Sequence, residues 1–288
     1  MLVSRRGGRL ALVTQRDHAA LAGWFAEHWG NEQFVVPAPR EALVIAATHH
    51  DDGWLELDGR PMYNAARQRP AHFIELPLTE TVGPYGRGVE SVYARDAHAG
   101  ALVSMHFSGF YTGRWGLGGG DGAPSRNELA REVVAVQEAR WMPALREAWG
   151  YRGRRSEFDA GTWHAYEVLQ AVDLLSLAHG LADLERAAPA IEPIDVTSTL
   201  ARTEQTAGPR FVTGVPVRAG GPYVAITLTV TEPGRVQLDP YPLRERELEF
   251  VLPVREIDDR VYGDADDAAR AFHSAPVREM RVAVTHPH

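Results

Sequence analysis

The segment Arg40–Trp54, REALVIAATHHDDGW, is the basis of our interpretation of the whole chain. It begins as an apolar helix and ends in four side chains that can bind metal, His49, His50, Asp51 and Asp52. Polar groups at the end of a buried helix need partners, because an unpaired one is costly in an apolar setting. A nitrogen of His50 and an oxygen of Asp51 would both be satisfied by one divalent cation. The alternative is an exposed, polar helix end.

The composition excludes several classes of function. The 288 residues include no cysteine, which excludes disulfides, zinc–thiolate sites and thiol nucleophiles. All 30 basic residues are arginine, so a Schiff-base lysine and a phosphate-loop lysine are excluded too. The net charge of −8 argues against nucleic-acid binding, and no stretch suits a signal peptide or a membrane span. We therefore expect a cytoplasmic protein acting on a small molecule, and the sequence leaves open a homo-oligomer.

Two further helices place a polar side chain on an apolar face. Thr14 and Asp17 form a capping pair that opens a helix running to about Trp29, and His18 lies on its apolar face. A helix over about 162–184 places Asp173 within an apolar stripe. An interior acid is rarely tolerated without a cation or strong hydrogen bonds. A hydrogen-bonded core histidine and an arginine-paired aspartate are the alternatives at the two positions.

The remaining N-terminal elements follow from periodicity and turn residues. Leu55–Pro70 is rich in glycine, proline and arginine, which predicts an ordered loop. Ser125 and Glu128 are interpreted as a second capping box, opening a helix to about Trp149. A strand is expected at 9–13 and a helix at 79–94. The apolar segment 99–111 could be a buried helix, but periodicity alone does not settle its structure.

A glycine-rich segment lies between two predicted helices. Gly113–Gly122, GRWGLGGGDG, holds six glycines and lacks the strand-then-helix context of a dinucleotide site. We interpret it as a connection rather than a lid, and Arg114 could reach a phosphate from it.

After Ala187 the pattern changes to short alternating strands. Ala265–His273 is predicted to be a short helix, and apolar residues alternate along 223–230, 236–238, 248–254 and 280–284. This predicts a small antiparallel meander. The expected fold class is α+β, with a mainly helical core over residues 1–187 and an antiparallel β region over 188–288 packed on that core.

Three helices thus contribute His18, then His50 with Asp51, then Asp173. This order, carried by DHAALAGWFAEHW, THHDDGW and VLQAVDLLSL, resembles the signature of the HD superfamily of metal-dependent phosphohydrolases. In that superfamily the four residues lie on separate helices of a helical core and bind one divalent metal. The resemblance therefore implies an HD-like core in which these four residues are the metal ligands.

Most of the chain also resembles a bacterial family catalogued as domain of unknown function 3891. The resemblance lies in TQRDHAALAGWFAEHWGN, EALVIAATHHDDGW, GALVSMHFSGFY and LQAVDLLSLAHG. It implies no established activity, but it suggests that the helical core and the C-terminal strands form one unit. Dinuclear HD proteins carry additional histidines, for which His72, His98 and His106 are candidates here. His106 is preferred because it lies in an apolar segment.

Two nitrogens and two carboxylate oxygens suit a manganese, iron, magnesium, nickel or cobalt ion. Such an ion lowers the pKa of a water molecule and polarises a phosphoryl oxygen. Asp52 is the candidate for orienting or deprotonating that water, and His106 is the candidate general acid. Arg60 and Arg114 are the candidate phosphate-binding residues.

Three functions are compatible with this site. The preferred one is a metal-dependent phosphohydrolase that acts on a small phosphorylated metabolite. The second is a non-catalytic regulatory or binding protein on the same scaffold, and the third is an HD-type di-iron oxygenase. A metal-to-protein ratio near one argues against the oxygenase. Phosphoester turnover that is lost in Asp51→Ala distinguishes the enzyme from the binding protein.

Overall fold

The fold combines a bundle of helices with one large sheet. A computed structural model describes residues 1–116, 125–150, 153–186 and 211–287. Its helices are α1 (Gln15–His28), α2 (Arg40–His49), α3 (Leu55–Asp58), α4 (Leu78–Tyr93), α5 (Ala97–Gly109), α6 (Glu128–Trp149), α7 (Arg155–Leu181) and α8 (Ala265–Ser274). Its strands are β1 (Leu2–Arg6), β2 (Arg9–Val13), β3 (Tyr63–Asn64), β4 (Arg69–Pro70), β5 (Phe211–Pro216), β6 (Tyr223–Glu232), β7 (Arg235–Asp239), β8 (Glu247–Asp258) and β9 (Val277–Thr285).

The predicted fold class, with its small antiparallel sheet at the C-terminus, is wrong. The structure has a seven-stranded sheet in the order β1-β2-β8-β9-β7-β6-β5, so both ends of the sequence contribute strands. The sheet is mixed, because β7 and β9 run parallel, with Val236 opposite Val284. The long strand β8 joins the two parts, since it pairs with β2 at one edge and with β9 at the other.

The first two strands form a hairpin that the periodicity predicted only in part. The expected strand at 9–13 is confirmed as β2, and β1 precedes it across the turn Gly7–Gly8. Both glycines have positive φ, 53° and 81°, a conformation that suits a two-residue hairpin and that other residues rarely adopt. The Gly7–Gly8 pair is therefore the feature of the sequence from which β1 could have been predicted.

The sheet is covered on both faces. One face packs on the helices in a continuous apolar core that includes Leu2 and Val13 of the hairpin and Phe25 of α1. The other face is covered near β1 and β2 by α8, where Leu10 and Phe272 belong to a second, smaller core. The predicted helix 265–273 is confirmed as α8. The hairpin thus has buried side chains on both of its faces.

The helices that carry the candidate site form where the sequence predicts them. Thr14 caps α1 by accepting a hydrogen bond from the Asp17 backbone N–H, which confirms the predicted capping pair. The helix α2 is confirmed as well, and the apolar segment whose structure was left open forms the buried helix α5. The expected helix over 79–94 is confirmed as α4, although Pro84 lies within it. None of the helices in the described ranges is both long and apolar enough to span a bilayer.

Several boundaries differ from the prediction. The cap of α6 is Asn127, which accepts from the Ala130 N–H, so the Ser125–Glu128 capping box is wrong. α7 begins at Arg155 rather than near 162, because the charged residues there form its exposed first turns. The expected loop over 55–70 contains α3 and the β3–β4 pair. Part of the glycine-rich connection (117–122) and the start of the predicted β region (188–210) lie outside the described residues.

Leu2→Ala should lower the free energy of unfolding by about 2–5 kcal/mol, the usual cost of a cavity in a packed core. Leu2 is fully buried, and its side chain fills the space beside Gly180 of α7. Urea denaturation monitored by circular dichroism would measure the change. Val251→Ala, in β8 but 43% exposed, is the control and should change stability by less than about 1 kcal/mol. Equal effects of the two substitutions would contradict a structural role for the N-terminal hairpin.

Candidate metal centre

Five buried polar side chains meet where four helices converge. They come from α1, the C-terminal end of α2, α5 and the middle of α7, and all are at most 5% exposed: His18, His50, Asp51, His106 and Asp173. The apolar core surrounds them, with fully buried neighbours such as Phe25 and Leu169 on the same helices. The four ligands implied by the sequence are therefore brought together, and His106 joins them.

The end of α2 is fixed by a close contact with α4. A 3₁₀ turn, Asp52–Trp54, follows α2 and packs on α4. A Cβ atom at Gly53 would fall 1.8 Å from the Pro84 carbonyl oxygen, so only glycine fits there. This contact holds the chain just after His50 and Asp51 and so restricts the direction in which both side chains project.

The donor atoms of the cluster are spaced as ligands of one ion would be. His18 Nε2 lies 2.9 Å from Asp173 Oδ1 and 4.0 Å from Asp51 Oδ2. His50 Nε2 lies 3.5 Å from Asp173 Oδ1 and 3.6 Å from Asp51 Oδ2. Ligands held at about 2.0–2.2 Å from a common metal are separated by about 3–4 Å. The observed separations fall in that range.

Hydrogen bonds to the outer ring nitrogens determine which nitrogen of each imidazole faces inward. His50 Nδ1 lies 2.8 Å from the Ala47 carbonyl oxygen, which can only accept, so this nitrogen carries a proton. Ser176 Oγ donates to the Asp173 carbonyl oxygen at 2.8 Å and therefore accepts from His18 Nδ1 at 2.7 Å. In both neutral rings the lone pair is then on Nε2, directed at the carboxylates.

This arrangement requires positive charge at the centre of the cluster. Without it, the lone pair of His18 Nε2 would face a carboxylate oxygen of Asp173 at 2.9 Å. His50 Nε2 is buried and has no hydrogen-bond partner. Either additional protons or a bound cation satisfies these atoms. The donor set, its spacing and the unpartnered nitrogen therefore fit a metal ion.

Protons supply that charge in the metal-free protein. Burial acts to lower the pKa of His50, but Asp51 and Asp173 outweigh it and raise the pKa to about 9. Burial acts to raise the pKa of Asp173, yet the adjacent imidazoles of His18 and His50 hold it well below its usual range. Burial raises the pKa of Asp51. A protonated His50 thus lies beside an ionised Asp173 when no metal is bound.

His106 completes a second, overlapping group of donors. Its Nε2 lies 3.7 Å from Asp173 Oδ2, and His50, His106 and Asp173 can hold an ion as a set, as His18, His50 and Asp51 can. Burial lowers the pKa of His106 to about 3, which keeps the ring neutral. The sequence offered His106 both as an additional metal-binding histidine and as a general acid, and its Nε2 lies among the donor atoms that can hold an ion.

The other predicted site residues lie elsewhere. Asp52 accepts from Arg95 at 2.8 Å and contacts His49 at 3.1 Å, and neither partner belongs to the cluster. Arg60 pairs with Asp266 of α8 at 2.5 Å, on the surface. Arg114 follows α5 and is close enough to His106 for its charge to act on that ring.

Three residues around the cluster were not predicted. Gln15, one turn before His18, is buried and donates from Nε2 to Asp51 Oδ2 at 2.9 Å. Ser176, three residues after Asp173, orients His18 as described above. Each of these two residues lies three positions from a candidate ligand on the same helix face, and this spacing could have identified them from the sequence. Tyr85 of α4 lies near Asp51, and burial, followed by that charge, raises its pKa well above the usual value. The sequence had no comparable signal for Tyr85.

The stability of the metal-free protein should fall as pH rises through the range in which His50 titrates. The pKa of His50 is raised from 6.5 to about 9, so its stabilising contribution is fully present below pH 6.5 and is lost as pH rises through 9. Urea titrations of chelator-treated protein between these limits would measure the decrease. His50→Gln should show a shallower dependence. The same slope in both proteins would contradict the assignment.

The comparisons with known proteins concern the family rather than a function. No curated protein and no solved structure matches the chain. The resemblance to the HD superfamily stays a prediction. A family model described as protein of unknown function (DUF3891) matches residues 1–259, which confirms the other resemblance. The chain therefore belongs to this family, domain of unknown function 3891.

Proposed function

We propose that the protein is a metal-dependent phosphohydrolase that acts on a small phosphorylated metabolite. The observation that carries the proposal is the buried cluster, in which His18 and His50 direct their Nε2 atoms at Asp51 and Asp173 around a position that needs positive charge. These four side chains would hold the ion. The order of the four residues, which resembles the HD signature, supports the reaction class.

The donor set narrows the choice of metal. Imidazole nitrogen suits iron, nickel and other transition metals, whereas magnesium prefers an all-oxygen environment. With His106 included, three imidazoles and two carboxylates are available. We therefore propose manganese, iron, cobalt or nickel rather than magnesium.

A divalent ion at this site would lower the pKa of a water molecule and polarise a phosphoryl oxygen. The chain's own contribution is to orient the ligands. Ser176 and the Ala47 carbonyl hold the two imidazoles in the required tautomer. Gln15 fixes one oxygen of Asp51, which limits the rotation of that carboxylate. The surrounding apolar side chains exclude bulk water, which strengthens these interactions.

The roles predicted for Asp52 and His106 change in this proposal. Asp52 is not assigned as the base, because its carboxylate is paired with Arg95 and His49. His106 is assigned as a ligand, because its Nε2 lies among the donor atoms of the cluster. Arg60 has no assigned role, since it pairs with Asp266 on the surface.

The two overlapping donor groups favour a di-iron oxygenase as the second candidate. His18, His50 and Asp51 form one group, and His106 adds another that shares His50. This chemistry needs two irons per chain. Elemental analysis of freshly purified protein distinguishes the candidates, because a ratio near one contradicts the oxygenase and a ratio near two with iron alone favours it.

Asp51→Ala should lower manganese-stimulated hydrolysis of p-nitrophenyl phosphate by more than about 100-fold, because it removes a ligand. Metal content should fall in the same variant. Asp159→Ala, which removes an exposed carboxylate paired with Arg155, is the matched control and should leave both unchanged. Metal binding without turnover of any phosphoester would instead support a non-catalytic binding protein on this scaffold.

Ser176→Ala should weaken metal affinity by about 10- to 100-fold, the usual effect of removing a group that orients a metal-binding histidine. The reason is that His18 Nδ1 loses its acceptor, so the tautomer with an inward lone pair is no longer favoured. Titration calorimetry of chelator-treated protein with manganese would measure the change. Thr162→Ala removes a hydroxyl that contacts His98 outside the cluster and is the control. An unchanged affinity in Ser176→Ala would contradict the role given to His18.

A further inference from the structure

A second group of buried polar atoms lies beside the cluster. On α7, Gln170 and Tyr166 precede Asp173 by three and seven residues, so all three side chains lie on one face of the helix. Tyr166 is fully buried and Gln170 is 5% exposed. The face that carries Asp173 into the cluster therefore continues as a polar surface toward the start of α7.

The end of α5 places these groups close to His106. A Cβ atom at Gly109 would lie 2.2 Å from Tyr166 Oη and 3.7 Å from Gln170 Nε2. Gly109 is three residues after His106 on the same helix. Only glycine leaves room for the Tyr166 hydroxyl at this point, and the hydroxyl and the amide lie one turn from the candidate ligand.

These groups lack hydrogen-bond partners. Tyr166 Oη, both polar atoms of the Gln170 amide, Trp115 Nε1 and His106 Nδ1 are all shielded from solvent and unpaired within the part of the chain that the structure describes. Gln170 and Trp115 lie near the Tyr166 hydroxyl, but without acceptable hydrogen-bond geometry. Buried polar groups are paired in most proteins, so several unpaired ones in one place indicate a site for a polar ligand.

Arg114 adds a positive charge to the group. It is half-buried, and within the described ranges it forms no ion pair. Burial raises the pKa of Tyr166, and the charge of Arg114 opposes that shift, so the guanidinium is within electrostatic range of the hydroxyl. Arg114 and Trp115 have φ values of 53° and 59°, which are uncommon outside glycine and are often retained where function requires them.

We propose that Arg114, Tyr166, Gln170 and Trp115 form a subsite for a phosphate-class oxyanion, next to the cluster. A guanidinium, a hydroxyl, an amide and an indole N–H supply several donors, which match the acceptor oxygens of a phosphate group. The identity of the substrate that carries this phosphate group rests on the proposed function. Binding of the anion itself does not depend on hydrolysis.

The test measures binding of inorganic phosphate by titration calorimetry, with chelator-treated and manganese-loaded protein. Arg114→Gln should weaken phosphate binding at least tenfold in both forms, and Tyr166→Phe should weaken it severalfold. Manganese content should be unchanged in both variants. Because the Tyr166 hydroxyl is unpaired without ligand, Tyr166→Phe should not lower the thermal stability of the phosphate-free protein, as loss of a merely structural hydrogen bond would.

The control is Arg131→Gln, which removes an exposed arginine of α6 and should leave phosphate affinity unchanged. Wild-type protein that does not bind phosphate, or Arg114→Gln and Tyr166→Phe variants that bind it normally, would overturn the subsite. Failure of the proposed hydrolysis is a separate result. Phosphate binding that depends on Arg114, without turnover of any phosphoester, would support the subsite and contradict the proposed phosphohydrolase activity.

Discussion

The structure depends on balancing charge at a point buried within the apolar core. Two imidazole nitrogens and two carboxylates are directed at one another inside an apolar core. Three of the four side chains are oriented by a further group, His18 by Ser176, His50 by the Ala47 carbonyl and Asp51 by Gln15. Such an arrangement is stable only if positive charge lies between the carboxylates, because unpaired ions are costly to bury. Protons meet this need in the metal-free protein, and a cation would meet it with better geometry. The four helices are consequently held together by a shared electrostatic requirement as well as by apolar contacts.

The helical part of the fold was predictable because its signals are local. The Thr14 cap and the apolar face of α1 can be recognised within 15 residues, and α2 ends where its polar residues begin. The sheet was not predictable in the same way. The pairing of β2 with β8 and the parallel pairing of β7 with β9 join strands that are distant in sequence, and periodicity gives no information about which strands are neighbours. Of the two pairings that β2 makes, only the one with β1 had a local signal, the turn Gly7–Gly8.

The same distinction applies to the site. His18 and Asp173 could be identified because a polar residue on an apolar helix face is conspicuous within its own helix. Asp52 could not be excluded from sequence, because neighbouring residues at a helix end project in directions that only the following turn determines, here the contact of Gly53 with α4. The supporting group Ser176 follows the three-residue spacing rule, so a search from each candidate ligand would have found it.

The pairing of Arg9 with Asp258 also restricts the order in which the chain folds. Contacts between residues so far apart form late, because closing a long loop costs conformational entropy. α1 and α2 are neighbours along the chain and in space, so they can bring His18 and His50 together early. During synthesis the N-terminal hairpin is made long before β8, so the edge of β2 that pairs with β8 stays unpaired until then. Unpaired strand edges favour association with other chains, so the β2 edge is open to mispairing during that interval.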